Sequence, residues 1–190
     1  MAVLFISEET IKKSTTINGN VDVQLLLPYI KVAQDIHVQQ VLGTDLYEKI
    51  QNDIAGVSGA SLSGAYKTLV DTYIQPVLIH YSLYECLPFL SYKIMNKDIV
   101  RKLSETSTGA SLDDIKFMRA NILNTAQFYT QRLVDYITNH TSDYPEYSTN
   151  SLGDMSPSKE GYFSGINLKP YKQDHGITLN DFLTSDISPD

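Results

Sequence analysis

The sequence predicts an all-α protein: a small helical bundle around a buried central helix, with a non-helical loop and a long extended C-terminal arm. Residues 73–95 are apolar or aromatic on every side, and a helix of that kind has to be buried on all sides. Residues 112–140 repeat apolar side chains every three or four positions. No helical period is kept after that, so we expect a helical domain at 1–140 and an arm at 141–190.

Residues 1–6 are expected to be extended. Ser7 predicts an N-cap, and Glu8 and Glu9 an acidic first turn, for a short helix. The turn residues at 18–20, Asn-Gly-Asn, end that helix.

Asp22 predicts the N-cap of a second helix, which runs to Leu42 and stops at Gly43. One apolar face of this helix serves the core and consists of Val23, Leu26, Leu27, Ile30, Val38 and Val41. A second, nearly opposite apolar face consists of Leu25, Tyr29, Val32 and Ile36. Two interpretations of this second face stay open: it is more core, or it contacts another chain.

Thr44 is expected to cap a third helix that ends near Gly56. The small residues at 57–64 predict a surface loop, because no Gly-Lys-Ser/Thr follows that would make a phosphate loop. A helix from Ala65 then leads into the central stretch, with a break at Gln75-Pro76. The central helix is expected to begin there, with Pro76 in its first turn. A second proline, at position 88, is expected to bend or break the central helix.

Residues 96–110 lose the helical pattern and predict a short hairpin or an ordered loop. A loop of this length inside a helical domain is uncommon, and it is usually functional or mobile. One interpretation is that these residues form a solvated, flexible surface loop. The other is a contact loop for an acidic partner surface or for passing DNA, with Lys97, Arg101 and Lys102 as the contact residues.

Ser111 predicts the cap of the clearest helix, with Asp113 and Asp114 in its first turn. Its apolar seam extends over about 43 Å and consists of Leu112, Ile115, Met118, Ile122, Ala126, Tyr129, Leu133, Tyr136 and His140. The outer face carries amides, of which the candidate subunit contacts are Asn121, Asn124 and Gln131. Such amides are either solvated or make polar, wet contacts between copies of one subunit.

The arm at 141–190 gathers too little apolar surface to offset the entropy of ordering it alone. It nevertheless carries spaced aromatic residues, which suits a segment that orders by lying across a partner. The candidate subunit or portal contacts in it are Tyr162, Phe163, Tyr171, Phe182 and Leu183.

Charge and cysteine content narrow the class of protein. The formal net charge of −7 argues against a general nucleic-acid binder, and residues 141–190 contribute most of it, with 8 acids and 3 bases. Cys86 is the only cysteine, so no intramolecular disulfide forms. The first residues lack the basic start and cleavage site of a secretion signal. A histidine, a glutamate and two prolines within 73–95 argue against a membrane span.

The sequence contains no recognisable catalytic or metal motif. Its four histidines, His37, His80, His140 and His175, are far apart and form no HExxH pair, and His80 is expected to be a hydrogen-bonded core residue. A nucleophile elbow and a dinucleotide loop are also missing. We therefore expect a protein that is not an enzyme and that needs no metal or cofactor, although carboxylate pairs formed by the fold are invisible at this level.

Several linked segments carry a resemblance to a known family. They are Pro28-Tyr29-Ile30 with Ala33-Gln34-Asp35, Leu42-Gly43-Thr44 with Leu46-Tyr47, Tyr73-Ile74-Gln75-Pro76, Glu85-Cys86-Leu87-Pro88-Phe89, and Ala126-Gln127-Phe128-Tyr129 with Arg132-Leu133. In these segments the chain resembles the head-to-tail connector proteins of tailed bacteriophages, most closely the neck ring proteins of crAss-like phages. The resemblance covers residues 4–140.

The resemblance implies a helical-bundle subunit that forms a ring of about twelve copies below the portal protein in the neck of a virion. Such a ring extends the DNA channel and joins capsid to tail. The implied partners are further copies of the chain, the portal, and other neck or tail proteins. DNA passes through such a channel without specific binding, because affinity for phosphate comes from Lys and Arg. The arm is expected to clasp a neighbour or the portal.

The implied location is the portal vertex of the virion, after synthesis in the cytoplasm of the bacterial host. Two other functions stay open. One is a different ring component of the virion, such as a stopper or a tail-end protein. The other is a helical adaptor or regulator outside the virion.

Overall fold

The fold is all-α, as predicted, with one small β-hairpin. The computed structural model describes residues 3–17, 21–94, 96, 99–101, 111–149 and 154–158. The helices are α1 (Glu8–Ser14), α2 (Val23–Ala33), α3 (Gln39–Leu42), α4 (Thr44–Ala55), α5 (Gly64–Thr68), α6 (Gln75–Ser91), α7 (Leu112–Asn139) and α8 (Glu146–Thr149), and the strands are β1 (Tyr92–Ile94) and β2 (Ile99–Arg101).

Two π-helical turns join helices that would otherwise be separate. The first turn, Gln34–Val38, connects α2 to α3, so that one continuous rod runs to the predicted stop at Gly43. The second turn, Leu69–Ile74, connects α5 to α6. The predicted break at Gln75-Pro76 is therefore wrong. Pro76 lies in the first turn of α6, where the missing N–H of a proline is tolerated.

Three helix starts have the predicted caps. The side chain of Ser7 accepts a hydrogen bond from the Thr10 N–H, and that of Asp22 accepts one from the N–H two residues later. Ser111 forms a capping box with Asp114 at the start of α7. Thr44, in contrast, is the first residue of α4 and not its cap. Its hydroxyl instead contacts a distant part of the chain, described below.

Helix α6 lies at the centre, between α2 and α7. Its first half is buried, but its last turns are only half-covered at Phe89 and Leu90, so burial on all sides is wrong for that end. The helix also runs through Pro88 to Ser91 without a break. Because Pro88 has no N–H, the carbonyl of Tyr84 lacks its helical donor, and Arg119 Nε of α7 donates to that oxygen at 3.2 Å.

The inner face of α7 follows the predicted seam only in part. Ile115, Ala126 and Leu133 are buried, together with residues that the seam did not include, such as Val134 and Ile137. Leu112 and Met118, near the start of α7, are exposed, and so is His140, which follows the last residue of the helix. The long helix therefore extends past the core at its start.

The chain continues to pack on the bundle after α7, so the boundary predicted at residue 140 falls inside the packed region. Tyr144 is fully buried, and its hydroxyl donates to the Ala65 carbonyl at 3.0 Å. Tyr147 of α8 is also buried. Residues 154–158 then lie along the end of the bundle. Residues 159–190 lie outside the described part of the chain.

Residues 154–158 are held by backbone bonds and a close glycine contact. The Thr44 N–H donates to the Met155 carbonyl at 3.0 Å, and the Met155 N–H donates to the Thr44 hydroxyl at 3.1 Å. The Ser158 N–H donates to the Gln40 carbonyl at 2.8 Å. Gly43 has φ +75°, and a Cβ there would lie 2.6 Å from Pro157 Cγ. Only glycine fits this position.

The predicted hairpin or loop after the central helix is a hairpin that begins earlier than expected, at β1. Strands β1 and β2 are antiparallel, with Tyr92 opposite Arg101 and Ile94 opposite Ile99. Residues 97, 98 and 102–110 lie outside the described part. Within that part, no helix is both long enough and apolar enough to cross a lipid bilayer.

Candidate assembly surfaces

The second apolar face predicted on the 22–42 helix is split between core and surface. We call Leu25, Tyr29, Val32 and Ile36 the α2 stripe. Leu25 is half-buried, and the ring of Tyr29 stacks on Phe89 with centroids 5.0 Å apart. Val32 and Ile36 keep 37% and 45% of their surface exposed. The half of the stripe near the π turn is therefore an exposed aliphatic patch.

The charges beside the α2 stripe neutralise each other. Lys31 forms an ion pair with Asp35 one turn later, and the Tyr47 hydroxyl donates to Asp35 Oδ1 at 2.8 Å. Burial, with Asp35 adding to it, raises the pKa of Tyr47 well above its ordinary value, so that the hydroxyl remains a donor. The patch thus borders a neutral pair with no net charge.

The outer face of α7 carries two of the three predicted amides between two exposed aromatic rings, and the third amide follows the second ring. We call Phe117, Asn121, Asn124, Phe128 and Gln131 the α7 stripe. Phe117 and Phe128 keep 69% and 66% of their surface exposed, more than any other large apolar residue of the described chain. Asn121 and Asn124 are exposed between them, and the Gln131 amide donates to Asp135 at 2.8 Å.

Sequence reasoning missed Phe117 and Phe128 as contact residues. The signal was present in their spacing: positions eleven apart on an α-helix lie three turns apart on nearly the same face. The same face carries Asn121 and Asn124, which place it outside the core. The sequence spacing was therefore enough to predict an exposed phenylalanine on either side of Asn121 and Asn124.

An apolar groove lies where α2, α6 and α7 meet. Its volume is about 740 Å³. The wall from α6 consists of Leu83, Leu87 and Leu90, and the rim includes Leu25 of the α2 stripe and Asn121 of the α7 stripe. The groove therefore borders one residue of each stripe, on the side of α6 that is not fully covered.

A polar cluster joins α6 to the first π turn and to α7. Glu85 Oε1 lies 3.0 Å from His37 Nε2, and its other oxygen lies 3.8 Å from Arg119. The His37 ring stacks on Tyr81 with centroids 3.7 Å apart, and the Arg119 guanidinium lies 4.0 Å from the centroid of the Tyr84 ring. One carboxylate thus links three helices, which explains why a charged residue is tolerated in the central stretch.

The other sequence-predicted contacts are not tested by the described residues. Arg101 lies on β2, where only its backbone is described. Lys97, Lys102 and the arm residues lie outside that part: Tyr162, Phe163, Tyr171, Phe182 and Leu183.

The geometry brings together no metal-binding group of three or more His, Cys, Asp or Glu within the described residues. His80 is half-buried and stacks on Tyr129 at 5.2 Å between centroids, and burial lowers its pKa. Cys86 is buried, its thiol donates to the Leu83 carbonyl, and burial raises its pKa to about 11. A thiol of that pKa is a poor nucleophile near neutral pH. His175 lies outside the described part.

Residues 38–155 match a protein family of unknown function, DUF6712. The chain belongs to this family. The DUF6712 match includes the α7 stripe, α6 and the residues up to Met155 that pair with Thr44, whereas the α2 stripe precedes it. Comparison with curated proteins and with solved structures gave no match.

Proposed function

We propose that this DUF6712 chain is a structural virion protein that forms a ring in the neck of a tailed bacteriophage, below the portal. The observation that carries the proposal is a pair of exposed surfaces on two different helices that each pack on α6. One is the aliphatic patch of Val32 and Ile36 on α2, and the other is the amide row with Phe117 and Phe128 on α7. A subunit of a closed ring needs two different contact faces, because head-to-tail association joins unlike surfaces. The resemblance to phage neck proteins supports the neck as the site of assembly.

Charge supports a channel wall that does not retain DNA. Residues 1–140 carry 14 acids and 12 bases. Nonspecific DNA affinity grows with the number of phosphates that Lys and Arg neutralise. A nearly neutral bundle lets DNA slide past, which a channel requires.

The arm is expected to clasp a neighbour or the portal, but residues 141–149 and 154–158 pack on their own bundle. The proposal therefore assigns contact with a neighbour or the portal to residues 159–190, which carry the five aromatic and aliphatic candidates named above. A chain truncated after residue 158 should fold as the full chain does, yet occupy fewer positions on isolated portal rings in negative-stain images. Unchanged occupancy would contradict the clasp.

The decisive test of the proposed function is the location of the chain in purified virions. Antibodies raised against the purified protein should label one vertex of the capsid, at the junction with the tail, and mass spectrometry should detect the chain at about a dozen copies per particle. Preincubation of the antibodies with purified protein is the control and should abolish labelling. Absence of the chain from virions would overturn the proposal in favour of an adaptor outside the particle.

A particle map separates the neck from the other virion positions. Density for the bundle immediately below the portal supports the proposal. Density at a stopper ring or at the far end of the tail would contradict it and assign the chain there.

A further inference from the structure

We infer that the α7 stripe of one copy packs on the α2 stripe of the next copy, with Phe128 and Phe117 as the anchors. This inference rests on the proposed function for the ring, but the contact itself is a property of the purified chain. The contact residues predicted from the sequence did not include Phe117 or Phe128, and they did not show that the α7 stripe meets the α2 stripe.

The two stripes match in length. Leu25 and Ile36 are eleven positions apart in the sequence, and so are Phe117 and Phe128. At 1.5 Å per residue each pair spans roughly 16 Å along its helix. In the inferred contact the two helices pack side by side and parallel, so that Phe117 lies opposite Leu25 and Phe128 lies opposite Ile36.

The two stripes also match in charge. Residues 120–131 of α7 contain no charged side chain, and beside Phe117 the Lys116 ammonium pairs with Asp113 and the Arg119 guanidinium with Glu85. On the other stripe, Lys31 and Asp35 immediately precede Val32 and Ile36 in the sequence, and they form their own ion pair. Neither face leaves an isolated charge to be desolvated on contact, which would cost several kcal/mol. A highly charged partner is disfavoured for the same reason, because its charges would find no counter-charge here.

The chemistry of the anchors distinguishes the two sides. Phe117 and Phe128 are large exposed rings beside a row of amides, whereas Val32 and Ile36 form a surface of shorter aliphatic side chains. Exposed aromatic anchors that meet aliphatic surface are typical of protein interfaces. The contact is therefore between unlike faces, as a ring requires.

The available area predicts a weak pairwise contact. The two stripes overlap over roughly 16 Å, and a helix about 10 Å wide then gives a footprint of roughly 160 Å². Stable interfaces bury about 800 Å² on each partner. One contact between the stripes supplies about a fifth of that, so two copies should associate weakly until a closed ring or a template adds the remaining contacts.

Cysteine cross-linking tests the pairing directly. The only native cysteine, Cys86, is buried with a raised pKa, so it should not react with a short bismaleimide near neutral pH. Phe128→Cys protein and Ile36→Cys protein are mixed and treated with that reagent. The matched control replaces Ile36→Cys by Val57→Cys, because Val57 is a β-branched residue with a similar exposure of 49% and lies outside both stripes.

To compensate for weak association, the same pairs are also made as tandem fusions of two full chains joined by a flexible linker, which raises the effective concentration to the order of mM. We expect at least a tenfold higher cross-linking yield for the Phe128→Cys and Ile36→Cys pair than for the Val57→Cys control. Phe128→Cys protein alone should give little product.

Equal yields for the Ile36→Cys and Val57→Cys fusions would overturn the inference. Efficient cross-linking of Phe128→Cys to itself would also overturn it, because that result indicates a two-fold contact between identical faces. If the chain is absent from virions but the cross-linking succeeds, the proposed location in the neck is wrong and the inferred interface stands. If the chain lies in the neck but the cross-linking fails, the proposed ring stands and this pairing of faces is wrong.

Discussion

Helix α7 lies against α6 and the second π turn mainly through apolar and aromatic side chains, whereas the first π turn fixes the first residues of the chain through a buried amide. On α7, Leu133 is completely buried, and the ring of Tyr136 stacks on Tyr73 at 3.8 Å between centroids. In the first π turn, Gln34 is also completely buried but bonds to three groups from other parts of the chain.

The difference shows two ways of fixing distant segments. An apolar seam stabilises two helices over a large area without selecting one atom as partner. A buried amide selects its partners individually, because each unmet hydrogen bond in the interior costs free energy. Gln34 accepts from the Phe5 N–H at 2.8 Å and donates to the Val3 carbonyl and the Tyr47 hydroxyl, both at 2.9 Å, so it fixes the first residues of the chain on the bundle.

The largest expected effect is on the apolar side of this comparison. Leu133→Ala should lower the free energy of unfolding by about 2–5 kcal/mol, because a fully buried leucine leaves a cavity. Phe128→Ala, on the outer face of the same helix, should change it by no more than about 0.5 kcal/mol in the dilute monomer. Urea unfolding of the parent and of both variants measures these changes in the free energy of unfolding. A similar loss for the two variants would show that the outer face is part of the core.

Gly43 tests the end of the bundle that holds residues 154–158. Gly43→Ala places a methyl group 2.6 Å from Pro157 Cγ, and it also strains a backbone at φ +75° and ψ 161°, a region used almost only by glycine. We expect a loss of about 2–4 kcal/mol. Gly59→Ala is the matched control, since φ there is +77° but no atom lies within 4 Å, and it should cost about 1–2 kcal/mol.

Hydrogen exchange adds a local readout to the Gly43→Ala experiment. The Ser158 amide, which donates to the Gln40 carbonyl, should lose protection in Gly43→Ala and keep it in Gly59→Ala. Equal effects of the two substitutions would mean that residues 154–158 do not pack against Gly43 in solution.

Gln34 tests the polar interior. Gln34→Met keeps the length of the side chain but leaves the buried Phe5 N–H without its acceptor, so it should cost about 1–3 kcal/mol. Gln24→Met, on an exposed position of the same helix, should be within about 0.5 kcal/mol of the parent. Loss of exchange protection at the Phe5 amide should accompany the larger effect. Unchanged protection would show that this contact does not order the first residues.

The same contrast explains what could be predicted from the sequence. The α7 seam and three of the helix caps follow from local spacing, so their main features were predicted. The buried role of Gln34 could not be predicted, because its partners lie 29 and 31 positions earlier, at Phe5 and Val3, and 13 positions later, at Tyr47. The pairing of Thr44 with Met155 spans 111 positions and was missed for the same reason.

For the candidate surfaces, periodicity grouped the four α2 residues and the three α7 amides on common helix faces but did not set how far each side chain is exposed. Tyr29 and Val32 belong to one predicted face, yet Tyr29 is half-covered by Phe89 and Val32 is exposed. Which part of a face is covered depends on where α6 ends, and the sequence placed that end four residues too late, at residue 95 instead of Ser91.

The smallest expected effect concerns His80, at the contact between α6 and α7. Burial lowers its pKa from the ordinary 6.5, so the unfolded chain binds a proton at a higher pH than the folded one. In that window the unfolded state carries more protons, and the free energy of unfolding therefore rises with pH. The contribution of neutral His80 to the free energy of unfolding is complete above about pH 6.5. It is lost as the pH falls below that value and approaches the pKa of His80 in the folded protein.

His80→Phe keeps a ring against Tyr129 and removes the titrating group. The difference in unfolding free energy between the parent and this variant should therefore be more favourable to the parent at about pH 8 than at about pH 5. Urea unfolding at the two values measures it, and subtraction of the variant cancels the titration of all other groups that the substitution leaves unchanged. A difference that stays constant with pH would show that His80 is solvated in the folded protein, and the contact between α6 and α7 would then be looser at this point than the stacked rings indicate.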